Sequence, residues 1–572
     1  MKKIFSVIDG KVKIRLYLIV VMSFTGIVLE SFSIISIFPL IKILIDPEYF
    51  NNKFFFIFSR ELDENSIYKF AIGFVIFLFL IKNIFLYILA RLQSKFSGFA
   101  NASLSSFFFS SYIKLNYINF ISANSANYVR IITDYIDAFF SVYYKAVMTI
   151  IVEIPIILIL ISVLFYVEPI GSLVFGMTAL IFGILFYVFN KKQLTFLGQN
   201  INLNLTNRLK YINKSFGLYK DIQLSNSENF YSNTFFNIIK NVANISYKLE
   251  SIVVIPKLVL EFAGISIILT LIYFNLSQGM LLTDFLPTVS LFAMSGLRLM
   301  PSANRIISAS HKLRFSGPTI ILLEEAINKF EKKENNPTID KNVKLDFNEK
   351  IIIKDLTFKY ENSKKNVLNN FNLDIKRGDF VMILGPSGSG KSTLINILLG
   401  LIYPNSGNIY SDDVDVFDNL NKWRKKISHV PQDVYLSDDT ILSNVALGVT
   451  QENINEKKVR KVLKSAQLED FIEDLPDNIL TNPGEKAVKI SGGQKQRLAI
   501  ARALYGDPEI LFLDEATSSL DRETEKKIII DIKNNLKNKT ILMVTHRLAI
   551  THLADKVYSI KDGKLEVYKN LK

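Results

Sequence analysis

The N-terminal half of this 572-residue chain consists largely of long apolar runs, and these runs constrain the fold more than any other feature. A helix that crosses the ~30 Å hydrocarbon core of a bilayer needs about 20 mostly apolar residues. Five runs are long enough, and a sixth is weaker because it contains Pro287 and Arg298. The sequence therefore predicts an α-helical membrane domain with six transmembrane spans, near residues 16–42, 70–90, 146–167, 170–190, 252–274 and 284–300.

The Lys and Arg residues between the predicted spans indicate which side is cytoplasmic, because cytoplasmic loops carry an excess of them. Segment 191–250 has eight basic residues against three acidic ones, whereas segment 46–68 has two against five. An even number of spans leaves both termini on one side. We therefore expect both termini, segment 191–250 and the C-terminal half to be cytoplasmic, in a multi-pass protein of the inner (plasma) membrane.

The composition excludes several kinds of site. The chain contains no cysteine, so disulfides, thiolate metal sites and thiol nucleophiles are excluded. The chain is basic, with a net charge of +14, and nucleic-acid binding is one interpretation of such a charge. Much of the excess lies in segments predicted beside the membrane, or reflects compositional bias, so we expect no nucleic-acid partner. The basic N-terminal residues lack a small-residue cleavage pattern, which favours a retained first span over a removed signal peptide.

Two long cytoplasmic connections, 91–145 and 191–251, have a mixed apolar and polar pattern that favours helices continuing out of the membrane. Each contains a predicted hairpin tip, at 116–128 and 217–230. A tip is either a solvated turn or a short helix that contacts the C-terminal domain and transmits its motion. The external loop at 49–62 is either an amphipathic helix on the outer membrane face or an ordinary aromatic-rich loop.

The apolar pattern ends near residues 316–345, where the segments SGPT and EKKENNPTIDKN interrupt it. Beyond this point, apolar strand-like segments alternate with helical ones, which predicts an α/β domain. We expect a transmembrane domain over 1–325, a linker over 326–345 and a nucleotide-binding domain over 346–572.

A glycine-rich motif carries the nucleotide prediction. Residues 385–392 read GPSGSGKS, after the apolar strand FVMIL and before the helical run TLINILLGL, which is the context of a phosphate-binding loop. Its glycines let backbone amides turn toward an anion, and the helix N-terminus adds partial positive charge. Lys391 is placed to neutralise the outer phosphates of ATP, and the Ser392 hydroxyl to ligate Mg²⁺. The predicted ATP-contacting residues of this segment are Gly385, Ser387, Gly388, Gly390, Lys391, Ser392 and Thr393.

Two consecutive acids complete the predicted site. The run ILFLD, residues 510–514, predicts a buried strand that ends in Asp514, which is placed to hold the metal through water. Glu515 follows, and is placed as the general base that polarises the attacking water. Together with the phosphate loop, these acids predict an α/β P-loop ATPase that uses ATP and Mg²⁺.

On these motifs the chain resembles the ATP-binding cassette (ABC) transporters, in particular exporter half-transporters of type IV architecture. The pentapeptide ISGGQ at 490–494 is similar to the family signature LSGGQ, with Ile490 in place of leucine. The resemblance implies that Ser491 and Gly493 cap the γ-phosphate of an ATP held by another subunit. Each site then needs a second half-transporter, so we expect a dimer. A homodimer is the simpler interpretation, and a related subunit remains an alternative.

The same resemblance implies four further roles. Gln432, in VPQDVYL, corresponds to the Q-loop residue that senses Mg²⁺, and His546, in VTHRL, to the switch histidine that contacts the γ-phosphate. Asp521, in SSLD, corresponds to the D-loop, and Tyr360 to an aromatic residue that stacks on adenine. The predicted catalytic residues are Glu515, His546 and Gln432, and the predicted Mg²⁺ ligands are Ser392, Gln432 and Asp514.

Ionisable residues inside the predicted spans indicate the kind of cargo, because a charge at the bilayer centre costs about 2.5–3.5 kcal/mol and tends to serve function. Lys82 has no acid three or four residues away. Lys257 shares a helix face with Glu261, and is either neutralised by it or faces the transport chamber. Basic groups lining a chamber suit an anionic cargo such as a diphosphate. The candidate substrate residues are Lys82, Lys257, Arg298 and Arg305.

A narrower resemblance is to bacterial flippases for lipid-linked oligosaccharides. The segments RLMPSANRI (298–306), IPKLVLE (255–261) and LIKNIFLYILARL (80–92) carry it, with lysine where arginine is expected. Lysine keeps the charge but lacks the bidentate fork, so its contact with phosphate is looser. This resemblance implies that the chain, with membrane lipid around it, moves a polyprenyl-diphosphate-linked glycan from the cytoplasmic to the outer leaflet. The alternatives are a multidrug or lipid exporter of broad specificity, and an ATP-gated channel or regulator, although the presence of Glu515 favours turnover.

Overall fold

The computed structural model describes residues 2–8, 10–45, 63–122, 125–167, 169–277, 282–333, 344–361, 363, 365–484, 490–517, 519–535 and 539–568. The chain divides into two compact units. Unit 1 comprises Met1–Lys114 and Ala123–Asn335, and unit 2 comprises Leu115–Ser122 and Asn336–Lys572.

Helices account for nearly all of the described part of unit 1. The short segments Ile131–Tyr135 and Phe139–Tyr144 are π-helical and link the helices around them. The α-helices up to residue 333 are α1 (Lys2–Val7), α2 (Gly10–Ile35), α3 (Ile37–Ile45), α4 (Glu64–Ile113), α5 (Tyr117–Ser122), α6 (Ser125–Arg130), α7 (Ile136–Ala138), α8 (Lys145–Val167), α9 (Pro169–Gly217), α10 (Tyr219–Leu224), α11 (Glu228–Ser277) and α12 (Leu282–Lys333).

Among the described residues, three helical stretches are long and apolar enough to cross a membrane: Val12–Ile45, Glu64–Ile113 and Asn127–Val167. They contain the first three predicted spans. The other three predicted spans lie within α9, α11 and α12, where some side chains are outside the description, and they stay predictions.

The longest helices extend well beyond any bilayer. Helices α4, α9, α11 and α12 contain 50, 49, 50 and 52 residues. At 1.5 Å per residue a 50-residue helix is about 75 Å long, more than twice the thickness of the hydrocarbon core. The structure thus contains the helical extensions that the pattern of 91–145 and 191–251 favoured. Helix α12 ends at Lys333, so residues 326–333 of the predicted linker are helical.

A buried apolar cluster joins α2, α8 and α12 within unit 1. Its residues are Ile27, Ile34, Ile156, Leu160, Leu164, Leu291, Phe292 and Leu299. On α4, by contrast, large apolar side chains such as Ile76 and Phe77 are about 60% exposed. An apolar outer surface of this kind suits lipid better than water, in agreement with the predicted membrane domain.

Unit 2 is an α/β unit with two sheets. Its strands are β1 (Lys350–Phe358), β2 (Leu368–Lys376), β3 (Phe380–Leu384), β4 (Ser406–Ser411), β5 (Val414–Asp415), β6 (Ile427–Val430), β7 (Ile510–Asp514), β8 (Thr540–Thr545), β9 (Lys556–Lys561) and β10 (Lys564–Val567). Its helices are α13 (Lys391–Leu398), α14 (Leu420–Lys426), α15 (Ile441–Val445), α16 (Glu456–Ser465), α17 (Glu469–Glu473), α18 (Gly492–Tyr505) and α19 (Arg522–Asn535). One sheet is antiparallel, in the order β2-β1-β4-β5, and the other has the order β10-β9-β3-β8-β7-β6.

The larger sheet positions the candidate site. Strands β3, β7 and β8 are buried along their whole length, which explains why FVMIL, ILFLD and TILMVT are nearly continuous apolar runs. Strands β6, β7, β8, β3 and β9 are mutually parallel neighbours in that order. Their carboxyl ends therefore meet at one edge, and in open α/β sheets ligands bind at this edge.

The two predicted hairpin tips have different surroundings. Helix α5, in the first tip, belongs to unit 2, where Tyr117 and Ile118 pack against a buried cluster that includes residues of β1, β2 and β3. The prediction of a short helix that touches the C-terminal domain is therefore confirmed for this tip, and its role in transmitting motion stays a prediction. The second tip contains the short helix α10, whose Tyr219 and Leu224 are exposed. The external loop at 49–62 lies outside the described residues.

Candidate functional site

A cavity of about 590 Å³ lies at the carboxyl edge of the large sheet. Its walls come from the phosphate loop and from the segments after β1, β6, β7 and β8. The lining residues are Tyr360, Val367, Ser387, Gly388, Gly390, Lys391, Ser392, Thr393, Gln432, Glu515 and His546. The structure thus brings together residues that the sequence separates by nearly 200 positions, and all but Val367 were predicted site residues.

The phosphate loop connects β3 to α13 and needs glycine at particular positions. Gly388 and Gly390 have φ values of +81° and +99°, a region in which other L-residues are strained. A Cβ on Gly390 would also lie 3.0 Å from the carbonyl oxygen of Val367. The loop therefore keeps its backbone amides directed around an anion only with glycine there.

Lys391 begins α13 and its ammonium lies inside the loop. Nζ donates hydrogen bonds to the carbonyl oxygens of Gly385 at 2.9 Å and Pro386 at 2.8 Å, and lies 3.8 Å from a carboxylate oxygen of Glu515. Only 6% of the side chain is exposed. A cation held in this way is available to bound phosphates without first being ordered.

The metal-binding prediction concerns the oxygens around Ser392. Its hydroxyl donates to Oδ1 of Asp514 at 3.4 Å, which joins the start of α13 to the end of β7. Burial raises the pKa of Asp514, and the Glu515 charge adds to this, while the Ser392 hydrogen bond opposes it. Hydroxyl, carboxylate and amide oxygens are ligands that suit Mg²⁺, so Ser392, Asp514 and Gln432 fit the predicted ion.

Glu515 is the point at which the predicted catalytic residues meet. Its carboxylate accepts a hydrogen bond from Nε2 of Gln432 at 3.0 Å and lies 3.5 Å from Nδ1 of His546. Its backbone is left-handed, with φ +46°, and its amide donates to the carbonyl of Val544 at 2.9 Å. Such a conformation costs a non-glycine residue about 1–3 kcal/mol and persists only where the surrounding structure holds it. Sequence reasoning predicted the residue but missed this conformation, for which the sequence contains no signal.

Tyr360 lines the cavity beside the start of α13. Its hydroxyl is 3.2 Å from that of Thr393, and its ring packs edge-on against Phe358 with centroids 4.9 Å apart. The ring is thus held at the cavity wall, as stacking on adenine requires.

The signature segment is held by local hydrogen bonds and does not line this cavity. Ser491 caps α18: its hydroxyl accepts from the Gln494 amide at 3.2 Å, and its own amide donates to the Gln494 side chain at 2.7 Å. Ile490 is buried in the apolar core. Ser491, Gly493 and Asp521 are all described, and none of the three lines the nucleotide cavity. They are therefore not positioned to contact an ATP held by the same chain.

Sequence reasoning missed a buried cluster behind the site. Glu525, with no exposed surface, accepts a hydrogen bond from the Thr517 hydroxyl at 2.5 Å and lies 3.3 Å from the guanidinium of Arg547. Arg547 also donates to the carbonyl of Leu520 at 3.0 Å. The cluster ties the D-loop segment to the residue after His546. The only sequence signal is the position of Arg547 beside a predicted catalytic histidine.

The candidate substrate residues lie in unit 1, and two of them are paired with acids. Arg298 lies 2.6 Å from Glu30 and 3.4 Å from Glu153, and Nε of Arg305 lies 2.5 Å from Glu153. Both guanidinium charges are therefore neutralised by acids, whereas the predicted binding of an anionic cargo requires positive charge that is available to it. The acids come from α2 and α8, far away in sequence, so helix-face spacing within α12 could not have revealed the pairs.

The other two candidates are Lys82 in α4 and Lys257 in α11. The ammonium of Lys82 lies over the ring of Phe79, 4.4 Å from its centroid, and no carboxylate lies within 4 Å of it among the described residues. Lys257 belongs to α11, but its side chain is outside the description.

Residues 368–518 match the family described as ABC transporter. The chain is 42% identical over 212 residues to an ATP-dependent lipid A-core flippase of Ralstonia nicotianae, covering 37% of this chain and 36% of that protein. It is 41% identical over 213 residues to ABC transporter B family member 29, chloroplastic, of Arabidopsis thaliana, covering 37% and 34%. These matches span about a third of the relatives' length.

A longer match is 30% identical over 367 residues to an ATP-dependent lipid A-core flippase of Cupriavidus pinatubonensis, covering 63% of this chain and 61% of that protein. The structure is similar to that of a bacterial Atm1-family ABC exporter with ATP bound, with a TM-score of 0.77, 20% identity, and coverage of 97% of this chain and 95% of that one. At this identity the similarity shows the fold. The predicted fold class, a helical membrane domain with an α/β nucleotide-binding domain, is confirmed.

Proposed function

We propose that this chain, which has the ABC exporter fold and an ABC transporter ATPase domain, is one half of an ATP-driven pump that flips a polyprenyl-diphosphate-linked glycan from the cytoplasmic to the outer leaflet. In this proposal two chains, most simply identical, close around two ATP molecules. Closing and hydrolysis change the side of the membrane to which the helices open.

The observation that carries the pump proposal is the composition of the nucleotide cavity. It contains the phosphate loop, Gln432, Glu515 and His546, but not the signature residues Ser491 and Gly493. Both sets are present and well formed in one chain. A second chain that supplies the signature loop would complete the site, so hydrolysis and dimer closure would depend on each other.

The chemistry follows from the side chains that meet at Glu515. With ATP bound, Lys391 and the loop amides would neutralise the phosphates, and Ser392, Asp514 and Gln432 would hold a Mg²⁺ ion, whose charge would stabilise the negative charge that develops on the phosphoryl oxygens. Glu515 accepts a hydrogen bond from the attacking water and polarises it. His546, which lies 3.5 Å from Glu515, is placed to contact the γ-phosphate. From there it would orient the terminal phosphoryl group for attack by the water, while ADP leaves on the opposite side.

The cargo proposal has separate support. The segments 80–92, 255–261 and 298–306 resemble those of flippases for lipid-linked oligosaccharides. The two lipid A-core relatives are named for flipping a lipid. Charged residues inside the helical unit, among them Lys82 and Arg298, are expensive unless they serve a polar cargo or one another.

A broad exporter of drugs or lipids is the second candidate, and one observation favours it. Glu30 and Glu153 neutralise Arg298 and Arg305, which leaves less positive charge for a diphosphate than the sequence alone indicates. An uncharged amphiphile would then need no charge displacement.

Reconstituted protein tests the proposal. In lipid nanodiscs, we expect ATP turnover to be stimulated by a polyprenyl-diphosphate-linked glycan, and in proteoliposomes the glycan should become accessible on the opposite leaflet. The Glu515→Gln variant should keep ATP binding but lose both activities. Equal stimulation by uncharged hydrophobic drugs would favour the second candidate, and glycan transport that survives Glu515→Gln would show that the chain is not a pump.

A further inference from the structure

Three basic residues lie at intervals of seven along α12: Arg298, Arg305 and Lys312. Seven residues are about two helical turns, or ~10.5 Å, so the three share one face in a row of about 21 Å. Their neutralisation decreases along the row. Arg298 contacts two carboxylates and Arg305 contacts one, while Lys312 has no carboxylate within 4 Å among the described residues.

A cavity of about 480 Å³ lies beside the least neutralised end of this row. Lys145, at the start of α8, faces it together with Arg305 and Lys312, and the side chains of Thr149, Asn304 and Ser308 add hydrogen-bonding groups. No acidic residue is among its lining residues, all of which are described. Lys145, like Lys312, has no carboxylate within 4 Å in the described part of the chain. The cavity wall therefore carries an excess of positive charge.

We propose that this cavity binds the phosphate head group of an anionic lipid, and that Glu153 is the counter-ion which the head group displaces from Arg305. The inference deepens the proposed function and rests on it. It assigns the head-group contact to Lys145, Arg305 and Lys312, of which only Arg305 was predicted from the sequence.

The displacement is feasible because Glu153 has a second partner. Its carboxylate lies 3.4 Å from Arg298 as well as 2.5 Å from Arg305, so it keeps one cation when Arg305 turns away. The Arg305 side chain is 43% exposed, whereas that of Glu153 is 8% exposed. The planar guanidinium can thus exchange one buried carboxylate for two phosphate oxygens in the same bidentate geometry.

The position of the cavity suits loading from the cytoplasm. Lys145 precedes the predicted span 146–167, and Lys312 lies beyond the predicted span 284–300, on the side assigned to the cytoplasm. Ligand pockets of a few hundred Å³ commonly hold small molecules, so there is room for a diphosphate and the first sugar of a glycan.

Charge-neutralising variants of the full-length protein in phosphatidylcholine nanodiscs test the inference. Binding of a polyprenyl diphosphate is titrated, with ATP turnover as the second readout. We expect Lys145→Gln/Lys312→Gln to weaken binding about tenfold or more, because two charge-assisted contacts are lost. The matched control is Lys240→Gln, an exposed lysine of α11 outside the cavity. Glu153→Gln should act in the opposite direction and tighten binding several-fold, because Arg305 loses its competing carboxylate.

The outcomes separate this inference from the proposed function. If the double variant binds polyprenyl diphosphate as tightly as Lys240→Gln while glycan still stimulates turnover, the head-group site is wrong and the flippase proposal stands. If the variants change affinity as expected but no glycan is moved, the site stands and the flippase proposal is wrong. If phosphatidylglycerol at the same mole fraction competes equally with polyprenyl diphosphate, the cavity binds ordinary anionic lipid and the cargo assignment is overturned. A wild-type protein that binds neither lipid overturns the inference outright.

Discussion

Protonation of His429 should destabilise unit 2 in a narrow pH range. His429 lies in β6, opposite Phe512 of β7, and its Nε2 is buried with no hydrogen-bond partner among the described residues. Burial lowers the pKa of His429 to about 4, from 6.5. The folded state therefore takes up this proton less readily than the unfolded state. Stability from the neutral imidazole is complete above about pH 6.5 and is lost as the pH falls toward 4.

The size of the effect follows from the two pKa values of His429. The pKa is 6.5 in the unfolded chain and about 4 in the folded chain. Relative to its value at about pH 7, the free energy of unfolding therefore falls by about 2 kcal/mol at pH 5 and about 3 kcal/mol at pH 4. The strand that contains His429 leads directly to Gln432, so loss of β6 would also separate Gln432 from Glu515. ATP turnover should then decline over the same pH range.

The single tryptophan provides the assay. Trp423 is fully buried in unit 2, and its indole N–H donates to the carbonyl of Leu398 at 2.7 Å, so its emission reports unfolding of this unit. Denaturant titrations of the wild type and of His429→Gln, at about pH 7 and pH 5, isolate the contribution of the histidine. We expect the variant to lose about 2 kcal/mol less than the wild type between these two pH values. Parallel losses in the two proteins would refute the reasoning.

Three further predictions concern the nucleotide site. Gly390→Ala should lower the free energy of unfolding by about 2 kcal/mol and abolish ATP binding, because the new Cβ adds a clash to the cost of positive φ. The control is Gly378→Ala, at φ +85° with open space around it, which should cost about 1 kcal/mol and leave ATP binding intact. Denaturant and nucleotide titrations of the two variants measure these effects. Glu525→Gln should destabilise unit 2 by about 2–3 kcal/mol and lower kcat for ATP hydrolysis with little change in KM. The reason is that the substitution neutralises a buried carboxylate that pairs with Arg547 and connects two segments of the site. An unchanged kcat would contradict this positioning role. Tyr360→Ala should weaken ATP binding by about 1–3 kcal/mol, because the stacking of the ring on the base is lost. Tyr360→Phe loses only the hydroxyl near Thr393 and should bind ATP almost normally. Equal effects of the two variants on ATP affinity would contradict the stacking role.

Much of unit 2 was predictable from the sequence because its determinants are local. The phosphate loop needs glycines at fixed spacing between an apolar strand and a helix, and both flanks are visible in the residues around Gly388. Parallel strands that are buried on both faces read as continuous apolar runs, so β3 and β7 were recognisable. Because ligands bind at this edge, where the strands end, Asp514 and Glu515 could be predicted as site residues from their position after an apolar strand.

Other features depended on contacts between residues far apart in the chain. The strained backbone of Glu515 is fixed by a hydrogen bond to Val544, and the buried Glu525 is satisfied by Arg547, 22 positions away. A local pattern cannot specify such a pairing, since buried charges are stable only when a particular partner reaches them.

The charges of unit 1 show the same division between sequence and tertiary structure. The sequence alone determined that the chain carries apolar helices, a nucleotide site and basic residues in the predicted spans. Only the tertiary structure decided that Arg298 and Arg305 are paired with Glu30 and Glu153, and that Lys145 and Lys312 face one cavity. The physical reason is that the type of a residue fixes its charge, whereas the electrostatic effect of that charge depends on distances of a few ångströms that only the folded chain sets.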